Sequence, residues 1–140
     1  MAEAEVIMKV LFYSSQKNGD SRKVQSIVEA LVPENSREIH RSLESLSGGF
    51  RLSGGDVAAA VLVAGSTQNL LDLLSIQPML TDTRIILILP DSRDETVSLG
   101  FKLFPRYISY AGGSFEDVNA VLSKMIELGS KNNFSKYSGF

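Results

Sequence analysis

Five short runs of apolar, often β-branched residues alternate along the chain with segments whose apolar positions recur at intervals of three and four. The first run, Val6 to Tyr13, predicts a buried strand that ends in the polar loop Ser14 to Ser21. Val24, Ile27, Val28 and Leu31 then share one helical face, with Asp20 or Ser21 placed to cap that helix. Arg37 to Arg41 alternates only weakly and reads as an edge strand. Leu43, Leu46 and Phe50 follow as a short helix, which Gly48-Gly49 is expected to break ahead of a mobile connection at Gly54-Gly55.

Ala58 to Ala64 is a continuous apolar strand, and Gly65-Ser66 opens a helix carrying Leu70, Leu71 and Leu74 at helical spacing. Arg84 to Leu89 is the strongest strand pattern and is closed by Pro90, which has no N–H to give a ladder. Ser92-x-x-Glu95 has the form of a capping box for a helix with Val97, Phe101 and Phe104 on its apolar side, stopped by Pro105. Tyr107 to Tyr110 reads as the last strand. Ser114-x-x-Asp117 then precedes Val118, Val121, Leu122 and Met125, on a helix expected to end at Gly129.

Five βα units with continuous apolar strands predict an α/β fold: a three-layer α/β/α sandwich around a five-stranded parallel sheet, since parallel strands need covered crossovers. The expected strand order is 2-1-3-4-5, a flavodoxin-like arrangement, and any site belongs at the carboxyl ends of strands one and three. Residues 1–130 form the expected domain, with 131–140 as a flexible tail.

Composition narrows the chemistry. The chain has 140 residues, 44% hydrophobic and 21% charged, near the average for a single globular domain. It has no cysteine, so disulfides, thiolate metal sites and cysteine nucleophiles are excluded. A formal charge of −2 gives no broad attraction for nucleic acid or anionic lipid. Met1 to Glu5 lacks the basic and apolar regions of a signal peptide, and no apolar run is long enough for a membrane span. A cytoplasmic location is the expectation, with neither nucleic acid nor membrane as partner.

Arg84 to Pro90, the helix ending near Phe104, Arg106 to Tyr110 and Phe115 to Leu122 together resemble the second half of a response-regulator receiver. The resemblance implies four places where phosphoryl-transfer residues should stand, and this chain departs at each. The acidic pair that holds Mg²⁺ falls on Ser14 and Ser15, whose hydroxyls are poor ligands for a hard dication. The phosphoacceptor falls on Ala64 or Gly65, neither of which can form an acyl phosphate. The hydroxyl position falls on Pro90 and the lysine on Tyr110. Tyr107 matches the aromatic that receivers use as a rotating switch, with Phe101, Phe104 and Tyr110 expected nearby. These four aromatics either form a partner surface or pack a helix against the sheet. What the resemblance implies is a degenerate, pseudo-receiver signalling module with no catalytic residue, which pairs with a protein partner or a second copy through helix 4, strand 5 and helix 5.

Other readings compete. The loop Ser14 to Ser21 is hydroxyl-rich, follows the first strand and opens a helix, as a flavodoxin phosphate loop does, which makes an FMN-binding electron carrier the alternative. Against it, Asp20 repels a phosphate and residues 65–69 offer no aromatic to stack on a flavin. A subunit whose active site is completed by another chain is a third reading. Neither a Walker nor a dinucleotide-binding glycine motif occurs, and Gly48-Gly49 and Gly54-Gly55 precede a strand instead of following one. Asp20, Asp91 and Asp94 show no metal-ligand spacing and read as solvated or capping residues. His40, the one histidine, is expected on the surface with no Ser or Asp partner.

Overall fold

The computed structural model describes residues 8–53 and 56–137; Met1 to Ile7, the Gly54-Gly55 connection and residues 138–140 lie outside it. Five strands, β1 (Lys9–Ser14), β2 (Arg37–His40), β3 (Val57–Val63), β4 (Ile85–Leu89) and β5 (Tyr107–Tyr110), alternate with five helices. The helices are α1 (Gly19–Leu31), α2 (Leu43–Ser53), α3 (Thr67–Leu74), α4 (Asp94–Phe101) and α5 (Glu116–Tyr137). All strand pairs are parallel and the order is β2-β1-β3-β4-β5, a flavodoxin-like arrangement with β2 and β5 at the edges.

Alternation along each strand sends neighbouring side chains to opposite layers. Val10, Phe12, Val61 and Ile88 meet Val24 and Val28 of α1 and Val118 and Leu122 of α5. Leu11, Tyr13, Leu62 and Leu87 meet Leu46 and Phe50 of α2, Leu70 and Leu73 of α3, and Leu103 beyond α4. Every residue of β4 is buried, at roughly 1.5–3 kcal/mol per large aliphatic side chain. Gly100 lets α4 lie close to the sheet, since a Cβ there would stand 3.1 Å from a Leu89 methyl.

Several helix details differ from the sequence expectation. Asn18 caps α1, accepting from Ser21 N–H at 2.9 Å, while Asp20 lies inside the first turn. The glycines do not break α2, which runs through both. Leu73, not Leu71, is buried on α3, because a short helix followed by a turn presents a narrow inner face. The Ser92 capping box does not form: Asp91 Oδ1 accepts from Arg93 N–H at 3.0 Å, and no side chain caps α4 at Arg93. That helix ends at Phe101, four residues before Pro105. Its inner side is Thr96, Val97, Leu99 and Gly100, which leaves Phe101 and Phe104 outside. Finally, α5 continues past Gly129 to Tyr137, since a helical glycine costs only about 1 kcal/mol and no proline follows.

Candidate functional site

At the carboxyl ends of β1 and β3, polar groups are spent on one another. Ser14 is buried, and its hydroxyl donates to Gln16 O at 2.9 Å, which folds the loop back on itself. Ser15 is exposed. The Gln16 side chain occupies the space where Gly65 would carry a Cβ, within 2.6 Å of that point. Gly65 N–H donates to Asn69 Oδ1 at 3.0 Å, and Asn69 Nδ2 donates to the Tyr13 hydroxyl at 2.8 Å. Ala64 is buried in the apolar layer under α3. Asp20 accepts from Gly112 N–H at 3.0 Å, which ties the β1 loop to the loop after β5. Pro90 and Asp91 end β4. The neighbouring Arg93 guanidinium, first among its hydrogen-bond donors, holds the Asp91 carboxyl down at about 2. Among the described residues no group of three or more acidic or histidine side chains gathers as a metal site.

The aromatics expected to form one surface divide. Phe101 is 60% and Phe104 75% exposed. Phe104 also adopts left-handed backbone, φ 54°, a strained conformation for a bulky side chain. It lines a cleft of about 270 Å³ with Gln77, Leu80 and Thr83 at the amino end of the sheet, opposite the strand carboxyl ends. Tyr107 instead turns toward α5: its hydroxyl and that of Ser109 both donate to Asp117 Oδ2 at 2.8 Å. Burial raises the Asp117 pKa, but these bonds and backbone N–H groups outweigh it and hold the carboxyl below its ordinary value. The bond to Asp117 pushes the Tyr107 phenol up. Tyr110, two registers from Ile108, faces the other layer and is 39% exposed.

His40 is buried rather than on the surface, and it has partners. Its Nδ1 lies 2.6 Å from Ser45 Oγ at the start of α2, and its Nε2 lies 2.9 Å from Glu38 Oε1, which shares its face of β2. Lys9 Nζ closes the row on the other Glu38 oxygen at 3.1 Å. Burial raises the Glu38 pKa, and the bonds from His40 and Lys9 more than reverse it, leaving the carboxyl below its ordinary value. The connectivity is that of nucleophile, base and orienting acid. However, Ser45 N–H is bound to Ser42 Oγ at 3.1 Å, so the adjacent donor that an oxyanion would need is taken. The row forms a strut that links Lys9 of β1 and Glu38 and His40 of β2 to Ser45 of α2. It was missed because its one sequence signal, Glu38-x-His40 on a single strand face, lies in the weakest strand.

The sequence matches no protein-family model and no curated protein.

Proposed function

We propose that this chain is a receiver-like protein-interaction module without a phosphoacceptor, and that it engages a protein partner through the face built from α4, β5 and α5. A second copy of the chain is the first partner to test. The single observation that carries the reading is the display of Phe101 and Phe104, two large aromatics left mostly in solvent at the end of α4 and in the segment that leads into β5. Lys102 and Arg106 flank them in the open, so the face combines apolar area with positive charge. The closed site at β1 and β3 supports the other half of the reading: a side chain at position 65 would collide with Gln16, and Ala64 is packed in apolar surroundings. Interaction then depends on contact and not on aspartyl phosphate.

The test is sedimentation velocity over a concentration series on wild type, Phe101→Ala and Phe104→Gly. Glycine is chosen at 104 because it relieves the left-handed backbone, which keeps monomer stability within about 1 kcal/mol. Wild type is expected to self-associate reversibly, and each variant to weaken that association by roughly tenfold. Association that survives both changes refutes the assigned face.

A further inference from the structure

We propose a binding site for a small phosphorylated polyol, of the sugar phosphate class, in the cleft between α1 and the end of β2. This goes beyond the interaction reading and rests on a different part of the molecule. The cleft is an open groove of about 340 Å³, within the range of small-ligand sites. Lys17, Arg22 and Arg41 bring three positive charges to it, against one carboxylate, Glu29. Ser21, Gln25 and Ser26 complete the lining, so no apolar or aromatic side chain borders it. With no apolar or aromatic side chain in it, such a wall gives little to an acyl chain and suits a ligand that is hydroxylated throughout.

Arg41 is the decisive residue. Its guanidinium is partly buried and donates only to neutral acceptors: Ser14 O and Ser21 Oγ, each at 3.4 Å, and Gln25 Oε1. The Phe12 ring lies 5.9 Å beneath it. Among the described residues it has no carboxylate partner, in a chain whose net charge is −2. Withdrawing a guanidinium from water without a counter-ion is unfavourable, and a bound anion supplies that counter-ion. The three contacts also fix the group in place, so little side-chain freedom remains to be lost on binding.

Charge balance selects the anion. Three cations and one carboxylate leave an excess of two positive charges, which a phosphate monoester dianion matches, at about −1.5 to −2 near neutral pH. Arg41 offers the planar fork that binds phosphate oxygens, with Arg22 and Lys17 closing around them. Ser21 adds a buried hydroxyl that accepts from Arg41 and whose proton is donated to no described acceptor. Gln25 links Arg41 to Glu29, donating to its carboxylate at 3.1 Å. Glu29 and Ser26, farther along α1, are the acceptors and donors available to sugar hydroxyls.

The test is a two-dimensional amide NMR titration of the full chain with glucose 6-phosphate, with inorganic phosphate and glucose as separate arms. Glucose 6-phosphate is expected to shift amides at Lys17, Ser21, Arg22 and Arg41, and to bind at least several-fold tighter than inorganic phosphate. Arg41→Gln should weaken binding by roughly tenfold or more, with the spectrum confirming a retained fold. Arg22→Gln, at an exposed position, should weaken it with no structural consequence. Absent shifts, shifts that glucose reproduces, equal affinity for inorganic phosphate, or binding indifferent to both substitutions would each overturn the assignment. Self-association through the α4–β5–α5 face is read by a different experiment and stands or falls separately.

Discussion

Two adjacent glycines in α2 offer a sharp quantitative test of the packing around His40. A glycine inside a helix is about 0.5–1 kcal/mol less favourable than alanine, so replacement should stabilise wherever a methyl group fits. At Gly48 nothing lies within 4 Å of the new Cβ, and Gly48→Ala should gain that amount in full. At Gly49 the Cβ would stand 2.7 Å from His40 Nε2 and 2.8 Å from Glu38 Oε1. Either the carboxylate swings away and loses its 2.9 Å bond, or the ring turns and loses Ser45 as well. A hydrogen bond to a charged group contributes about 1.5–3 kcal/mol, and the partial exposure of Glu38 places this one at the lower end. Subtracting the helix gain leaves Gly49→Ala destabilised by about 0.5–1 kcal/mol, so the neighbours should differ by about 1.5 kcal/mol and in sign. Urea unfolding followed by far-UV circular dichroism measures both. In a Glu38→Ala, His40→Ala background the obstruction is gone, and Gly49→Ala should become stabilising. If Gly49→Ala stabilises the wild-type chain as much as Gly48→Ala does, the strut is not where the structure puts it.

Three further outcomes are expected from the same packing. Tyr107→Phe removes a hydroxyl bound to a carboxylate and should cost about 1–2 kcal/mol. Because Asp117 is held below and Tyr107 above its ordinary pKa, their contribution is full between the two and fades as pH falls through the Asp117 value or rises past that of the phenol. A wild-type minus Tyr107→Phe stability difference that is flat from acid to alkaline pH contradicts that pairing. Thr96 is fully buried and its hydroxyl meets no partner at hydrogen-bond geometry, so Thr96→Val should raise stability by about 1 kcal/mol in thermal unfolding. Ala64→Asp, which installs the acid a receiver would carry, puts a carboxylate into an apolar layer and should cost roughly 3 kcal/mol or more; an unchanged unfolding midpoint would contradict that burial.

Strand identity, strand order and the edge position of β2 were legible because they rest on long apolar runs and on the topology that parallel strands require. The caps were less so. Asn18, Ser21 and Asp20 are all competent at a helix start, and only the direction in which the chain leaves β1 selects Asn18. At α4 the spacing of Val97, Phe101 and Phe104 looked like an inner face, but Gly100 is the residue that touches the sheet, which turns Phe101 outward, and Phe104 lies beyond the end of the helix. Gly48 and Gly49 look alike as helix breakers; what distinguishes Gly49 is the His40 ring against it, a contact between elements that no local pattern records. That Ser14, Ser15, Ala64 and Gly65 offer no carboxylate was readable residue by residue. Their closure by Gln16 and Asn69 was not, because both act across loops. Arg41 likewise looked like the end of a weak strand, and only the packing of α1 beside it forms a cleft.

Native mass spectrometry of the purified chain, before and after incubation with acetyl phosphate and Mg²⁺, tests the central claim most directly. A phosphate-independent interaction module should give the bare chain or its dimer, with no flavin and no added mass after treatment. Gain of a phosphoryl group would mean an acceptor operates in this fold after all, and a retained flavin would replace the interaction reading with an electron carrier.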